Sequence, residues 1–523
     1  MNVRYLINRA VKEYPDSIAV VYKNIRKTFS EVNTRANCLA NGLSKLRIEK
    51  GDRVGMLLRN CSESIEIDFA LSKSGIVRVP LNVRLTERDH EYMLNDSEAN
   101  TLIFGEEFTE KVQAIKPTLK TVKTLIRVSE GLSKENILDA LDYEELIKNN
   151  TPNEPSGEIE EDDLHTLFYT SGTTGRPKGA MLTQKSWANV AINLILDYGP
   201  ITDNDVILNT QPLSHGAGFF VLPFFIKGAT NVLMPEFKPA LVFETIEREK
   251  VTVLKLVPVM LYQLLESPEK NRYDLSSLHS IIYGGSPIAV PRLIDAIQFF
   301  GAKLVQLYGQ AEAPMCISTL SKKDHLIEGS DEAVKRLRSA GKPCVNVEVK
   351  IVDENGGDVK CGEVGEVIVR GYHLMKGYWN STEATSEVLK NGWIYTGDLG
   401  YFDSKGYIFL VDRKRDVIIS GAFNIYPKEI EDVIITYPKI KEVAVIGVPD
   451  EYWGEAVKAV VVPKEGVQVT EQEIIDHCRV CMASFKKPKS IEFVKELPRN
   501  PYGKVIKTIL RDSYWKGFDR RIH

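Results

Sequence analysis

One loop of the chain, residues 169–179, combines the residue types that grip phosphate. It reads Tyr-Thr-Ser-Gly-Thr-Thr-Gly-Arg-Pro-Lys-Gly and follows an apolar run at 164–169 that predicts the end of a strand. Glycines let backbone N–H groups turn toward an anion, hydroxyls add neutral donors, and Lys178 adds a positive charge. The loop lacks the Gly-Lys-Ser/Thr ending of a P-loop. We predict a binding site for the polyphosphate of ATP; the alternative is a plain surface loop.

Five further motifs follow along the chain. They stand at 283–287 (Tyr-Gly-Gly-Ser-Pro), 308–312 (Tyr-Gly-Gln-Ala-Glu), 395–398 (Tyr-Thr-Gly-Asp), 412–416 (Asp-Arg-Lys-Arg-Asp) and 498–504 (Pro-Arg-Asn-Pro-Tyr-Gly-Lys). Their order and spacing resemble the signatures of the adenylate-forming family, which includes acyl-CoA synthetases, firefly luciferase and the adenylation domains of peptide synthetases. The resemblance covers nearly the whole chain. It implies that a carboxylate is coupled to AMP and the acyl group then passes to a thiol.

The resemblance implies a nucleotide site made from the loop at 169–179 and four of these further motifs. Tyr308 would stack on adenine, and Asp398 with Arg413 would hold the ribose hydroxyls. Glu312 would hold Mg²⁺, which prefers oxygen ligands and bridges phosphates. The other implied nucleotide-binding positions are Thr170, Ser171, Gly172, Thr173, Thr174, Gly175 and Lys178 at the phosphates, Gly284, Gly285 and Ser286 beside the base, and Gly309, Gln310 and Ala311 between Tyr308 and Glu312.

One residue of the motif at 308–312 departs from the family pattern. Ala311 stands where a threonine is usual, so a hydroxyl toward the α-phosphate is missing. A neutral hydrogen bond contributes about 0.5–1.5 kcal/mol. We therefore expect a weakened or rerouted phosphate contact and retained function.

The resemblance also implies the residues of the reaction itself. Lys504 matches the adenylation lysine that bridges carboxylate and α-phosphate, and Lys178 and Glu312 act with it on the phosphates. His215, in a loop of small residues, matches a gate that shields the carboxylate and later admits the thiol; a structural histidine is the alternative. Because Lys504 is far from Lys178 in sequence, a small domain must close on a large one.

The expected thiol is coenzyme A. Gly421 resembles a glycine that lines the pantetheine tunnel, and Trp453 resembles an aromatic near CoA or, alternatively, is a packing residue. The hinge between the domains is expected at Arg415, where the family usually has Asp or Lys. Phe219, Phe220, Val221 and Tyr283 are apolar candidates for the wall of an acyl pocket.

The pattern of apolar residues predicts an α/β fold. A β-α-β rhythm at 53–80 recurs in short runs at 206–209, 231–234, 253–257 and 280–283, which indicates layered, largely parallel sheets. After about residue 345 short alternating strands predict a β-rich subdomain. We predict a large N-terminal domain at 1–413 and a small, mobile α+β domain at 414–523.

Composition narrows the class of protein. The chain has 523 residues and a formal net charge of −4 with dispersed Lys and Arg, so no nucleic-acid surface is expected. No apolar run approaches the ~20 residues of a transmembrane segment. Seven scattered cysteines suit a reducing compartment. We expect a soluble cytoplasmic enzyme, with a homodimer possible.

The leading hypothesis is a carboxylic acid:CoA ligase that uses ATP and Mg²⁺ and forms AMP and pyrophosphate, acting on medium- or long-chain fatty acids. Aromatic or alicyclic acids are the second candidate, since small apolar residues would also accept a ring. Delivery of the acyl group to a separate carrier protein stays open. A non-catalytic nucleotide-binding protein would be expected to lack Lys178, Glu312 or Lys504, and this chain has all three.

Overall fold

A nine-stranded sheet forms the centre of the N-terminal part in this computed structural model, which describes residues 1–129, 138–170, 177–327, 330–420, 423–484, 486–499 and 505–516. Its six central strands are parallel, and antiparallel strands close both edges. In order across the sheet the strands are Lys342–Pro343, Ser318–Leu320, Leu304–Tyr308, Ser280–Gly284, Val253–Leu256, Val206–Asn209, Thr230–Leu233, Ile18–Tyr22 and Ile25–Thr28.

A second sheet of seven strands carries the start of the phosphate loop. It is parallel except for its last pair, the antiparallel strands on either side of residues 171–177. In order the strands are Leu141–Asp142, Thr124–Val128, Thr101–Gly105, Arg53–Leu57, Val77–Pro80, Leu164–Thr170 and Lys178–Thr183. The β-α-β rhythm predicted at 53–80 is confirmed as strand Arg53–Leu57, helix Ser62–Ser74 and strand Val77–Pro80.

Helices pack between and around the two sheets. One hydrophobic core contains residues of both sheets together with the buried faces of helices Phe29–Lys45, Ser62–Ser74 and Gln184–Tyr198. Polar N-caps begin such helices; the Thr28 hydroxyl, for example, accepts a hydrogen bond from the backbone N–H of Glu31. The other α-helices of this part are Val3–Glu13, Glu87–Asp96, Thr109–Ile115, Tyr143–Lys148, Gly218–Phe225, Pro239–Glu249, Pro258–Glu266, Val290–Phe300, Asp331–Arg336 and Thr382–Val388.

An antiparallel sheet follows and confirms the predicted β-rich subdomain. Its strands are Val347–Val352, Gly365–Gly371, Trp393–Phe402, Leu389–Lys390 and Ile408–Arg413. The motif at 395–398 lies inside the ten-residue strand Trp393–Phe402, although Thr-Gly-Asp is a combination of residues typical of a turn or cap. Gly397 has a φ of 69°, a left-handed conformation that favours glycine, which explains the glycine within this strand.

The C-terminal part has its own sheet and core. Helices Pro427–Ile434 and Glu471–Cys481 pack on this core, and the short helix Lys507–Asp512 is the last described helix. The strands, in order, are Phe423–Ile425, Ile418–Ser420, Gly454–Pro463 and Ile440–Asp450, with Ser490–Phe493 parallel to Gly454–Pro463. The predicted α/β class with a large and a small domain is thereby confirmed; the boundary at residue 413 stays a prediction.

Acidic residues of the segment between the two parts bond to residues of the C-terminal part. The Asp412 carboxylate accepts a hydrogen bond from the backbone N–H of Lys428 at 2.8 Å. Burial raises the pKa of Asp412 to about 6, although the nearby Lys507 opposes this shift. The Arg511 guanidinium lies 3.7 Å from Asp416 and reaches the carbonyl oxygen of Arg415. The predicted hinge residue is therefore held by the last described helix.

None of the helices in the described ranges combines the length and apolar character needed to cross a bilayer.

Candidate active site

Two of the motifs lie side by side because neighbouring parallel strands end at the same edge. Strands Ser280–Gly284 and Leu304–Tyr308 pair in parallel, with Gly284 opposite Leu307. A Cβ on Gly284 would lie 2.4 Å from the carbonyl oxygen of Leu307, so only glycine fits. Gly285 has a φ of 85°, and Gly285 and Ser286 are exposed. The chain thus presents bare backbone beside Tyr308, a surface on which a flat ring can lie.

Asp398 is the centre of a polar cluster at this edge. Its Oδ2 accepts hydrogen bonds from the Tyr308 hydroxyl at 2.5 Å and from Gln310 Nε2 at 2.7 Å. Its Oδ1 lies 2.6 Å from Arg413 Nε, because Asp398 and Arg413 stand opposite each other on antiparallel strands. We call Tyr308, Gln310, Asp398 and Arg413 the aspartate cluster. The structure brings these four predicted residues together.

The aspartate cluster is electrostatically satisfied by its own members. The side chain of Asp398 is only 9% exposed, and Arg413 supplies the opposite charge. Burial and the Asp398 charge raise the pKa of the Tyr308 hydroxyl well above its usual range. A carboxylate has about four acceptor sites. Three are used by the described residues, so Asp398 can accept a further hydroxyl.

The phosphate loop begins and ends at a pair of facing residues. Thr170 and Lys178 are register partners on antiparallel strands. The predicted phosphate-binding residues between them, Ser171, Gly172, Thr173, Thr174 and Gly175, lie outside the described residues.

Tyr378, which the sequence did not indicate, contacts both Lys178 and Glu312. The Lys178 ammonium lies 5.4 Å from the centre of the Tyr378 ring, and the Tyr378 hydroxyl donates to Glu312 Oε1 at 2.6 Å. The segment holding Tyr378 is fixed by backbone bonds, including Trp379 N–H to the Gly179 carbonyl at 2.8 Å. No sequence motif marks Tyr378, because its place depends on this long-range pairing.

The surroundings of Glu312 suit a metal ion that takes one ligand from the protein and its other ligands from the nucleotide. One carboxylate oxygen accepts the Tyr378 hydroxyl, and within the described ranges its Oε2 accepts no hydrogen bond. Across the same ranges no cluster of three or more His, Cys, Asp or Glu side chains is arranged to hold a metal. A Mg²⁺ ion bound by nucleotide phosphates and one protein carboxylate is compatible with that arrangement.

The residues between Tyr308 and Glu312 form a tight turn. A Cβ on Gly309 would lie 2.4 Å from the backbone nitrogen of Met315. The Gln310 N–H donates to the carbonyl of Ala313 at 3.0 Å, and Ala311 is partly buried against the core. The methyl end of Met315 lies 3.5 Å from where a Cβ on Gly216 would be, so this turn adjoins the loop that carries His215.

His215 lies in a turn that leads into helix Gly218–Phe225. Its ring is stacked near Phe168, with 5.7 Å between ring centres. Burial, together with the charges of Lys255 and Arg84, lowers the pKa of His215 to about 3. His215 is therefore neutral at physiological pH. A neutral imidazole can shield a reactive group without adding charge.

The predicted apolar wall divides into two regions. Phe219, Phe220 and Val221 are buried in the core beside His215, and the Phe219 ring lies 4.3 Å from that of Trp187. Tyr283 packs in a different hydrophobic cluster, and its hydroxyl lies 2.8 Å from His325 Nε2. Tyr283 therefore packs apart from the other three residues, and its place in the wall stays a prediction.

Two polar residues beside His215 escaped the sequence analysis. Lys255 is 6% exposed, lies on strand Val253–Leu256, and donates to the side-chain carbonyl of Gln211. Its ammonium is 3.5 Å from where a Cβ on Gly216 would be. Burial lowers the pKa of Lys255 to about 7. We call Gln211, His215 and Lys255 the lysine cluster; a lysine within an apolar strand was its only signal in the sequence.

The C-terminal candidates are only partly described. Trp453 is 43% exposed in the hairpin between strands Ile440–Asp450 and Gly454–Pro463, and its ring contacts Tyr452 and Lys489 of the same domain. The structure gives it no contact with the N-terminal candidates among the described residues. Gly421 and Lys504 lie outside the described residues.

Comparison with known proteins identifies the family. A family model described as AMP-binding enzyme matches residues 7–379, and one described as AMP-binding enzyme C-terminal domain matches residues 429–504. A feruloyl-CoA synthase of Amycolatopsis sp. is 38% identical over 511 residues, which cover 97% of this chain and 98% of that protein. A medium/long-chain-fatty-acid–CoA ligase of Mycobacterium tuberculosis is 35% identical over 533 residues, with coverage of 99% and 91%.

Solved structures agree with this identification. The amide bond synthetase McbA from Marinactinospora thermotolerans has a TM-score of 0.88 at 29% identity, with 98% of this chain and 100% of that chain covered. With the family models matching most of the chain and the aspartate cluster in place, the protein belongs to the adenylate-forming AMP-binding enzymes, in the branch of AMP-forming acyl- and aryl-CoA ligases.

Proposed function

We propose that this protein joins a carboxylic acid to coenzyme A in two half-reactions. In the first, a carboxylate oxygen attacks the α-phosphorus of ATP, an O–P bond forms, and pyrophosphate leaves. In the second, the CoA sulfur attacks the acyl carbon, its proton is lost to solvent or base, and AMP leaves. The observation that carries the proposal is the placement of the aspartate cluster beside Glu312, Tyr378 and Lys178.

In this proposal the aspartate cluster holds the nucleoside. Asp398 accepts the ribose hydroxyls, Arg413 balances the charge of that carboxylate, and Tyr308 with bare backbone at Gly284 and Gly285 encloses the base. These side chains are preorganised for ATP, because their hydrogen bonds to one another already fix their positions.

The phosphates are assigned to the opposite end of the site. Lys178 and the loop after Thr170 neutralise phosphate charge, and Glu312 is the proposed protein ligand of Mg²⁺, which when bound offsets the charge of the leaving pyrophosphate. Lys504 is the proposed bridge between carboxylate and α-phosphate. Gly421 and Trp453 are the proposed contacts of CoA after the small domain has moved.

The acyl group is proposed to lie against His215, Phe219 and Phe220. Medium- or long-chain fatty acids, the class that the sequence favours, stay a prediction, and the relative from Mycobacterium tuberculosis supports them. Aromatic acids are the second candidate, supported by the feruloyl-CoA synthase and by the neighbouring rings of Phe168, His215 and Phe219. A cytoplasmic location and a dimer also stay predictions.

The proposal is tested by pyrophosphate release with ATP and Mg²⁺ across fatty, aromatic and amino acids, each with and without CoA, with acyl-CoA measured by mass spectrometry. We expect CoA-dependent turnover with one class of acid. Release that ignores CoA and leaves acyl-AMP would indicate a carrier-protein acceptor, and release that needs an added amine would indicate amide formation. No acid-dependent release from folded protein would contradict the ligase.

A variant of Lys504 separates the two half-reactions. Lys504→Ala is expected to abolish pyrophosphate release while CoA still consumes acyl-AMP supplied from outside. Loss of both reactions in a folded variant would show that this lysine is not specific to adenylation.

A further inference from the structure

Lys255 is a buried cation without a buried anion. Its only hydrogen-bond partner among the described residues is the side-chain carbonyl of Gln211, and no carboxylate of those residues forms an ion pair with it. Burying an unpaired charge is costly, so proteins normally pair such groups. A structural lysine at this place would be expected to have an acidic neighbour.

Two other buried cations of the chain, Lys73 and Arg78, follow that rule. Lys73 lies 2.8 Å from a Glu154 oxygen and donates to Asn33 Oδ1 at 2.6 Å. Arg78 pairs with Asp68 and also donates to the Thr166 hydroxyl. Lys255 departs from this pattern, which indicates that its partner is not part of the chain.

The surroundings of Lys255 are those of the proposed acyl site. Its ammonium lies 5.7 Å from the centre of the Phe220 ring and 3.5 Å from where a Cβ on Gly216, the residue next to His215, would be. After burial, the charge of Lys255 is the next cause of the lowered pKa of His215. Lys255 therefore faces the same space as the histidine that the family places beside the acyl group.

The neighbouring polar groups are also incompletely used. Gln211 Nε2 has the thioether sulfur of Met260 at 3.6 Å, a weak acceptor, while the Gln211 backbone carbonyl is fixed by Asn60 at 2.8 Å. The Ser214 hydroxyl in the same loop is buried with no hydrogen-bond partner in the described part of the chain. Lys255, Gln211 and Ser214 thus each keep a donor with no strong acceptor in the described part of the chain, and a hydrocarbon chain could satisfy none of these donors.

We propose that Lys255 and Gln211 recognise an oxygen substituent on the acyl group, so that the preferred acid carries a hydroxyl, phenolate or second carboxylate in addition to the carboxylate that reacts. This inference rests on the proposed ligase function and narrows its substrate class. An ammonium has three donors and one is used on Gln211, so two remain for an acceptor oxygen. A plain alkyl chain would leave these donors unsatisfied.

Titration of Lys255 supports this assignment. Burial lowers its pKa to about 7, so a neighbouring anion would return it to the charged form. Binding of an acid with an ionised substituent above pH 7 is therefore expected to take up a proton. Binding of the matched acid without the substituent is not.

The test compares pairs of acids that differ only in the substituent, in both aromatic and aliphatic series: benzoate with 4-hydroxybenzoate and 4-carboxybenzoate, cinnamate with 4-hydroxycinnamate, and hexanoate with adipate. In the wild type we expect kcat/KM for the better oxygen-bearing acid to exceed that of its hydrocarbon partner by about 100-fold. Lys255→Met should remove most of this preference through KM and leave the hydrocarbon acid unchanged or better. Gln211→Met should weaken the preference less.

The control is Lys238→Met, which removes an exposed lysine paired with Glu236 and should leave every ratio unchanged. An equal loss on both members of each pair in Lys255→Met would mean that Lys255 binds the reacting carboxylate or supports the fold, and would overturn the inference. So would a wild type that turns over hydrocarbon acids without preference. No turnover of any acid would contradict the ligase function itself and remove the inference with it.

Discussion

The aspartate cluster and the lysine cluster differ in how their charges are satisfied. Asp398 is buried among three donors of the chain itself, one of them the cation Arg413. Lys255 is equally buried but has one neutral partner. The first cluster is complete without a ligand, as suits a nucleotide common to every reaction cycle. The second is incomplete, as suits a group that distinguishes one acid from another.

The largest effect should come from breaking the complete cluster. Asp398→Asn removes the charge that holds Tyr308, Gln310 and Arg413, and hydrogen bonds to charged groups contribute about 1.5–3 kcal/mol each. We expect kcat/KM for ATP to fall by ~100-fold or more in the pyrophosphate assay. Glu348→Gln, which breaks the exposed pair with Arg370 on the same sheet, should change it little. Comparable activity in the two variants would show that Asp398 does not contact the nucleotide.

The next effect separates the charge of Glu312 from its hydrogen bond. Glu312→Gln should lower pyrophosphate release by roughly 30- to 100-fold and raise the Mg²⁺ concentration needed for half-maximal rate, because a charged metal ligand is lost. Tyr378→Phe removes only the bond to Glu312 and should cost about 2- to 10-fold, in line with one hydrogen bond. An unaltered Mg²⁺ requirement in Glu312→Gln would exclude Glu312 as the metal ligand.

The incomplete cluster should instead gain stability when its charge is removed. Lys255 has a folded pKa of about 7, below its value of about 10.4 in an unfolded chain. Between these two values the unfolded chain binds one more proton, so wild-type stability rises with pH through that window. Lys255→Met avoids this cost and should raise Tm by about 2 °C or more at pH 7.

The advantage of Lys255→Met should shrink as pH rises from 7 toward 10, and it should be largest below pH 7. Thermal unfolding of wild type and variant in parallel isolates this difference from the titration of all other groups. A destabilised variant with no pH-dependent difference would mean that Lys255 is satisfied within the folded chain, and the contrast between the two clusters would disappear.

The same contrast explains what could be predicted from the sequence. Tyr308, Gln310, Asp398 and Arg413 belong to motifs of fixed order, so the sequence predicts each of them as a nucleotide-binding residue. Their meeting point was less evident, since the Thr-Gly-Asp motif lies in a strand interior where its residue types favour a turn. Only the pairing of Trp393–Phe402 with Ile408–Arg413 places Asp398 opposite Arg413.

The lysine cluster and Tyr378 could not be found in this way. Lys255 is surrounded in sequence by Val253, Leu254 and Leu256, a pattern that simply predicts a buried strand. Its proposed function depends on its position next to Gly216 and the Phe220 ring, and both residues are distant from Lys255 in sequence. Hydrophobic periodicity thus predicts the strands and helices well. A buried lysine whose proposed role depends on having no acidic partner can be recognised only from the structure.

The smallest effect concerns the one motif residue that departs from the family. Ala311→Thr restores the missing hydroxyl in the turn beside Glu312, and one neutral hydrogen bond should lower KM for ATP by about 2- to 10-fold. Ala311→Val is the matched control, because valine has the shape of threonine without its donor. If both variants behave alike, packing of Ala311 against the core decides the result and the hydroxyl does not. A gain confined to threonine would show that the nucleotide side of the site also lacks one hydrogen-bond donor. The aspartate and lysine clusters would then differ less sharply in how fully the chain itself supplies their partners.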